Sequence, residues 1–308
     1  MESYLAIEFL NKLTLSIGFP LFFLLASALL PIIVCFTIVF GIVKQSKLYI
    51  QCAYQLMYLG VILTSIFVLI LLLVTGIYYS DIQHFLPIYQ YIFWITCSIF
   101  YLGFIFQLIC IVLWYRLIGS PILYTLLSFL SGICYSSFII ISIFLFGYIF
   151  SGDFVVLERE TDFSIIVGLI FPSLMNPLWL IVFIIHFIEA AAAGGVALVW
   201  LWIRRNKDNF GRDYYVVAAN WCSNWAAYGT WIFLISFIVF ILYNVVTSLI
   251  VIGWPIATVS VGLGLIAALI WTKIALSNNP MRYKLAMIFA IVFFVYSMTF
   301  GSSVVFIQ

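Results

Sequence analysis

Two ionisable side chains lie close together inside a long apolar stretch of the chain. His186 and Glu189 belong to the segment IVFIIHFIEAAAAGGVALVWLW, and their spacing of three residues places them on one face of a helix. An ionisable group in the middle of such a segment is costly in a membrane and usually serves binding or proton transfer. At 1.5 Å per residue, we expect His186 about 14 Å from the N-terminal end of the helix and Glu189 near its middle.

Three interpretations of this pair are open. In the first, His186 is an axial iron ligand of haem b and Glu189 conducts protons, while the small residues at 190–195 let a planar group or another helix approach closely. In the second, His186 and Glu189 line a quinone site, where the imidazole hydrogen-bonds a quinone oxygen and the carboxylate accepts the proton. In the third, they are a structural polar pair that fixes this helix to the next one.

The haem interpretation needs a second iron ligand from another source. The only other histidine, His84, lies in the short polar segment SDIQHFLP. The remaining alternatives are a partner chain, an open coordination position, or one of three methionines in apolar stretches, Met57, Met287 and Met298.

A second polar cluster follows in the segment AANWCSNWAAYGTW. Asn220, Ser223, Asn224 and Tyr228 are spaced as i, i+3, i+4 and i+8, which forms one stripe along a helix. The short connection RRNKDNFGRD predicts that this helix is the antiparallel neighbour of the one that carries Glu189. The stripe is either one wall of a polar cavity shared by the two helices, or hydrogen-bonding glue between helices worth about 0.6–2 kcal/mol per contact.

The composition places these helices in a membrane. Of the 308 residues, 67% are hydrophobic and 7% are charged, whereas about a quarter of the residues in a soluble domain are charged. Lipid must therefore solvate most of the outer surface. The net charge of +2 gives no electrostatic footprint for nucleic acid. We predict an all-α polytopic membrane protein.

A membrane-spanning helix requires roughly 20 apolar residues, and eight stretches of the chain meet that length. We expect the helices at about 14–43, 54–79, 88–114, 122–150, 177–203, 214–246, 249–272 and 285–307.

The charges of the connections predict the orientation in the membrane. If both termini lie outside, every one of the 12 basic residues except Lys12 and Arg159 falls in an inner connection, as the positive-inside rule requires. The acidic residues of 151–162 then lie outside. We predict an integral protein of a bacterial inner (cytoplasmic) membrane with its N-terminus and C-terminus outside.

The longest connection predicts how the chain is organised. Residues 151–176 hold an acidic loop and an apolar stretch at 163–174 that is too short to span a membrane, which is typical of an interfacial helix. This connection separates a first four-helix unit, 1–150, from a second, 177–308. Both units begin on the same side, which favours a parallel internal repeat. The segment ASALLPIIVCF aligns with AAAAGGVALVW.

Several sequence motifs are absent from the chain. Its six cysteines form no CxxC or CxxCH pattern, so no covalent haem attachment or zinc ribbon is indicated. No phosphate-binding loop, HExxH pair or GxSxG elbow occurs. Any chemistry must take place among the helices or on a partner subunit, and the sequence leaves open whether the chain is an enzyme.

The second half of the chain resembles bacterial respiratory membrane proteins. The resemblance is to subunit I of the cytochrome bd quinol oxidases and to relatives of that subunit that occur beside multihaem cytochromes. It lies in the segments FPSLMNPLWL, HFIEAAAAGGVALVWLWIRR and GRDYYVVAANW. That resemblance implies packed four-helix units with haem b and quinol sites near the outer face. The chain departs from the pattern in its first helix, where Phe22 aligns with His186. The eight-helix, haem-free quinone subunit of polysulfide or nitrite reductase complexes is similar in helix count.

These observations lead to one expectation and two rivals. We expect a membrane subunit of a respiratory electron-transfer complex that exchanges electrons with the quinone pool. Its site would be lined by His186, Glu189, Asn224 and Tyr228, and Glu189 would accept the proton. Its partners, besides lipid, would be other subunits such as a periplasmic c-type cytochrome or an iron–sulfur protein. The rivals are a permease for a small molecule and a non-catalytic membrane scaffold for partner subunits.

Overall fold

The fold is a bundle of long apolar helices. A computed structural model describes residues 14–77, 89–117, 120–151, 178–208, 210–247 and 254–306. These residues contain eight helices long and apolar enough to cross a membrane, and none of them forms a strand. The all-α membrane fold class is therefore confirmed. The helices are α1 (Phe19–Val43), α2 (Lys47–Ile77), α3 (Tyr89–Val112), α4 (Pro121–Ser151), α5 (Leu178–Asp208), α6 (Arg212–Thr247), α7 (Trp254–Ala275) and α8 (Lys284–Phe306).

Two helices extend further than expected at the ends that carry basic residues. α2 begins at Lys47 rather than at 54, and α5 continues to Asp208 rather than ending at 203. An Arg204–Asp208 ion pair of 2.6 Å at i,i+4 supports the last turn of α5. The count of apolar residues marks only the part of a helix that lies in hydrocarbon, so it misses turns whose long side chains reach water. The apolar stretch at 163–174 lies outside the described residues.

The helices pack in the same order in both halves of the chain. α1 contacts α2 and α4, α2 contacts α3, and α3 contacts α4. In the second half, α5 contacts α6 and α8, α6 contacts α7, and α7 contacts α8. Each set of four helices therefore closes on itself, and a contact between α1 and α5 joins the two sets. The boundaries at 150 and 177 stay a prediction.

The two helices at this junction are the most buried in the bundle. In α1 and α5, 67% of the most apolar window is buried inside the protein, against 28% in α4. Hydrogen bonds from two tryptophans cross the junction: Trp221 Nε1 of α6 donates to Thr37 Oγ1 of α1 over 2.8 Å, and Trp200 Nε1 of α5 donates to Gln55 Oε1 of α2 over 3.4 Å. Glu189 is thus carried by a central helix.

The first residues of α6 and α8 are basic and lie at one end of the bundle. Arg212, the first residue of α6, donates to Oδ1 of Asn279, in the connection between α7 and α8, over 3.0 Å. The Lys284 ammonium lies 5.8 Å from the ring centroid of Trp202, near the end of α5, a distance at which a cation is attracted to an aromatic face. Which side of the membrane this end faces stays a prediction.

Candidate functional site

The seam between α5 and α6 is a backbone contact made by two glycines. A Cβ added to Gly194 would lie 2.6 Å from the carbonyl oxygen of Cys222. A Cβ added to Gly229 would lie 2.5 Å from the backbone nitrogen of Ala191 and 2.8 Å from the carbonyl oxygen of Phe187. Only glycine permits so close an approach of two helix backbones. The prediction that α5 and α6 are neighbours is confirmed.

The small residues of α5 are therefore occupied by other helices. Gly195, on another side of α5, lies against Trp271 of α7 and Ile291 of α8: an added Cβ would be 3.2 Å from the indole ring and 3.5 Å from the isoleucine side chain. Gly194 and Gly195 therefore leave no room for a planar macrocycle on their faces of α5. The residues present do not fit a haem on these faces of α5.

The Glu189 side chain is buried and has no partner among the described residues. It is 0% exposed, and neither carboxyl oxygen has a hydrogen-bond partner within the described part of the chain. Counted at 1.5 Å per residue, it lies about 16 Å along α5 from Leu178. Because buried polar groups are normally hydrogen-bonded, this carboxyl requires an explanation other than packing.

His186 lies one turn closer to the N-terminal end of α5 and is half-buried. Its Nδ1 lies 2.8 Å from the carbonyl oxygen of Val182. A carbonyl oxygen can only accept, so Nδ1 carries the hydrogen, and in the neutral ring Nε2 is an unprotonated nitrogen. This hydrogen bond fixes both the tautomer and the orientation of the ring.

An aromatic groove runs along the surface of α6 beside α5. Its volume is about 390 Å³, and it is open on one side. Tyr228, which lines it, is 66% exposed, and Asn224 is half-buried. The side chain of each is free of hydrogen bonds to the described residues. The groove is lined by Phe187 and Ala190 of α5 and by Trp221, Asn224, Trp225, Tyr228, Gly229 and Ile232 of α6.

Aromatic residues of α1 hold the indole rings of the groove in place. The ring of Phe40 stacks on Trp221 with a centroid distance of 5.0 Å and an interplanar angle of 27°. Phe36 packs on Trp225 at 5.8 Å, and the two indoles are 6.2 Å apart. The hydrogen bond from Trp221 to Thr37 adds a polar anchor. The aromatic groove therefore has fixed walls.

The structure brings together two of the four expected site residues. Asn224 and Tyr228 line the aromatic groove, and His186 and Glu189 are not among its lining residues. The α5 residues that face the groove are Phe187 and Ala190. Successive residues of a helix are rotated by about 100°, so Glu189 points to a different side of α5 than Ala190. The functional roles of all four residues stay predictions.

Sequence reasoning missed the tryptophans that make the walls of the groove. Tryptophan is common in the aromatic belt at the membrane interface, so residue type alone does not mark Trp221 and Trp225 as part of a site. Their i,i+4 spacing, with Asn224 between them and Tyr228 one turn later, was the signal that could have found the groove.

Sequence reasoning also missed a buried polar cluster between α2, α3 and α4. Gln107 is fully buried, and its Oε1 accepts a hydrogen bond from the hydroxyl of Tyr135 over 3.2 Å. Ser131 Oγ donates to the carbonyl oxygen of Gly103 over 2.8 Å. These residues are uncharged, so a search for ionisable groups within the helices passes over them.

Comparisons with known proteins identify no relative. No protein-family model, curated protein or solved structure matches this chain. The resemblance to respiratory membrane subunits therefore stays a prediction. Among the described residues, no group of three or more His, Cys, Asp or Glu could hold a metal ion. The class defined by the fold is an integral membrane protein with eight candidate spanning helices in its described part.

Proposed function

We propose that this chain is a membrane subunit of a respiratory electron-transfer complex and that it binds a quinone in the aromatic groove. One observation carries the proposal. The groove combines two fixed indole rings, Trp221 and Trp225, with two polar side chains, Asn224 and Tyr228, that make no hydrogen bond to a described residue. Pockets for small molecules are mostly apolar and carry a few polar groups that fix the orientation of the ligand.

The chemistry of a quinone head group suits these side chains. A quinone is a flat ring with two carbonyl oxygens, so it needs aromatic faces and hydrogen-bond donors. The indole rings supply the faces. The amide of Asn224 and the hydroxyl of Tyr228 supply the donors. The volume of about 390 Å³ falls within the range of roughly 300–1,000 Å³ that is common for ligand pockets.

The surface of α6 beyond the groove suits an isoprenoid tail. Ile235, Val239 and Leu242 follow Tyr228 at i+7, i+11 and i+14, on the same side of the helix. They are 59%, 50% and 56% exposed. This apolar stripe gives the tail a path from the groove into the lipid.

A partner subunit would exchange electrons with the bound quinone. We place this protein in a bacterial inner membrane, with a periplasmic c-type cytochrome or an iron–sulfur protein as its partner. The acidic segment at 151–162, which holds Asp153, Glu158, Glu160 and Asp162, would attract a basic partner surface. Haem b is not part of the proposal, because other helices pack directly against Gly194 and Gly195.

A photoreactive quinone tests the proposal. The purified full-length protein is irradiated with an azido-substituted quinone, and the labelled peptides are identified by mass spectrometry. We expect labelling between Trp221 and Ile232 that excess unlabelled quinone prevents. The double variant Asn224→Leu/Tyr228→Phe should lose most of this label. The control variant Asn206→Leu/Tyr115→Phe makes the same exchanges at exposed positions and should keep it. Labelling only at other helices would refute the proposal.

One observation favours a permease as a second candidate. Transporters built from repeats often place their binding site near the middle of the membrane, where the repeats meet. Here α1 and α5 join the two four-helix sets, and α5 carries Glu189, whose carboxyl has no hydrogen-bond partner in the described part of the chain. A folded protein without specific quinone labelling would favour this candidate, and uptake assays in vesicles would then be the next measurement.

A further inference from the structure

We infer that His186 and Glu189 form a proton relay along α5, which begins at the half-buried imidazole and ends at the buried carboxyl. Neither residue lines the aromatic groove, so the inference goes beyond quinone binding and does not depend on it. Its substrate is the proton itself.

The environment of Glu189 requires that something neutralise its charge. An ionised carboxylate without a partner is very costly to bury. The carboxyl oxygens have no hydrogen-bond partner among the described residues, and the structure describes no ion pair to Glu189 within those ranges. A bound proton removes the charge. A structural role, by contrast, would require the hydrogen bonds to a neighbouring helix that are missing here.

The orientation of His186 suits transfer of a proton to Glu189. Side chains three residues apart on a helix have Cβ atoms about 5–6 Å apart. The two groups make no direct hydrogen bond, and one water molecule would connect them. Because Nδ1 donates to the carbonyl oxygen of Val182, Nε2 is the nitrogen that takes up and releases the proton. The half-buried ring connects Glu189 to the N-terminal end of α5.

The helices packed against α5 carry no second carboxyl beyond their first turns. α5 contacts α1, α6 and α8 most extensively. α1 carries no Asp, Glu, Lys or Arg, and in α6 and α8 such residues occur only in the first turn, at Arg212, Asp213 and Lys284. α4, which also contacts α5, carries none. The relay therefore ends at Glu189, which stores the proton within the bundle.

Infrared spectroscopy of the full-length protein in lipid tests the relay. The difference between the infrared spectra of the wild type and of Glu189→Gln should contain the carbonyl band of a protonated carboxylic acid. Transfer to D₂O should shift this band as the proton exchanges. In His186→Ala the exchange should be at least about tenfold slower, since a positioned acid–base group contributes roughly 10²–10⁴ to a proton transfer. Added imidazole should restore the rate by filling the space of the missing ring.

Two matched measurements make the result decisive. Phe183→Ala removes a ring one turn further out on α5, where the side chain is 50% exposed, and it should leave the exchange rate unchanged. If Glu189→Gln fails to fold, ¹³C-labelled glutamate identifies the band in the wild type.

Three outcomes would overturn the relay. The first is the absence of the acid band. The second is loss of that band when Na⁺ is added, because a cation would then neutralise the carboxylate in place of the proton. The third is an equal rate of exchange of the acid proton in D₂O for His186→Ala and Phe183→Ala.

Discussion

The α5–α6 seam and the α3–α4 seam hold their helices together in different ways. In α5–α6, Gly194 and Gly229 bring the two backbones into contact. In α3–α4, side chains cross the gap: Ser131 donates to the Gly103 carbonyl oxygen and Tyr135 donates to Gln107. One seam depends on direct contact between helix backbones, and the other on hydrogen bonds that side chains donate across the gap.

This difference separates polar residues that hold the fold from polar residues that are free to bind. In the α3–α4 seam, Gln107, Ser131 and Tyr135 are buried and use hydrogen bonds for packing. The α5–α6 seam, here called the glycine seam because Gly194 and Gly229 form it, leaves two polar residues of α6 outside the helix contact. These residues, Asn224 and Tyr228, lie on the open side of the aromatic groove. A polar residue in an apolar helix thus indicates a function only when packing does not already use it.

The largest effect should come from adding one methyl group to the glycine seam. Gly194→Ala places a Cβ against the backbone of Cys222 and Ala226, which cannot move as a side chain can. Overpacking of this kind costs about 1–3 kcal/mol or more. We expect a clear fall in the thermal unfolding temperature of the detergent-purified protein, measured by fluorescence-detected size-exclusion chromatography.

Gly262→Ala is the matched control for this change. Gly262 lies in α7, and nothing lies within 4 Å of the Cβ that this change adds, so its unfolding temperature should equal or exceed that of the wild type. Equal unfolding temperatures for the two variants would contradict the backbone contact between α5 and α6.

A smaller effect should follow from removing one hydroxyl in the α3–α4 seam. Tyr135→Phe deletes the hydrogen bond to Gln107 and leaves the amide with one partner fewer. Hydrogen bonds between membrane helices contribute about 0.6–2 kcal/mol. We expect a modest fall in stability by the same assay. Tyr115→Phe, at a side chain that is 88% exposed, should cause none, and a fall of equal size there would mean that the seam is not special.

The smallest effect on stability should come from the groove. Tyr228→Phe removes a hydroxyl that no described residue contacts by a hydrogen bond, from a side chain that is 66% exposed. Surface substitutions of this kind usually change stability by less than about 0.5 kcal/mol. We expect an unchanged unfolding temperature. A loss as large as that of Tyr135→Phe would place Tyr228 in a packing role.

The sequence predicts the helices of this protein well and their rotations poorly. Length and apolar composition locate eight spanning helices, because every spanning segment must satisfy its own backbone. The rotation of each helix about its own axis does not follow from length and composition. In a soluble helix the polar face marks the outside, but here both the lipid side and the core side are apolar. Ala190 and Tyr228 could therefore be placed on their helices but not on a particular neighbour.

The same ambiguity limited the prediction of the site. Of the four residues in the predicted stripe, the structure places Asn224 and Tyr228 on the aromatic groove. Ser223 is buried and donates to the carbonyl oxygen of Asn220 instead. The short run at 190–195 allowed either a ligand or a helix, and only packing decides between them. Trp221 and Trp225 are typical of a membrane interface by residue type, and their role as groove walls depends on rings contributed by α1.

Quinone affinity in two double variants tests the central claim most directly, since it compares free polar residues with packed ones. Quenching of tryptophan fluorescence would give the Kd for Asn224→Leu/Tyr228→Phe in the groove and for Ser131→Ala/Tyr135→Phe in the α3–α4 seam. We predict a Kd at least about fivefold higher for the groove variant, since two lost hydrogen bonds of about 0.5–1.5 kcal/mol each together correspond to a factor between about 5 and 160. The seam variant should lose stability and keep its affinity. Equal affinities for the groove variant and the wild type would contradict the account.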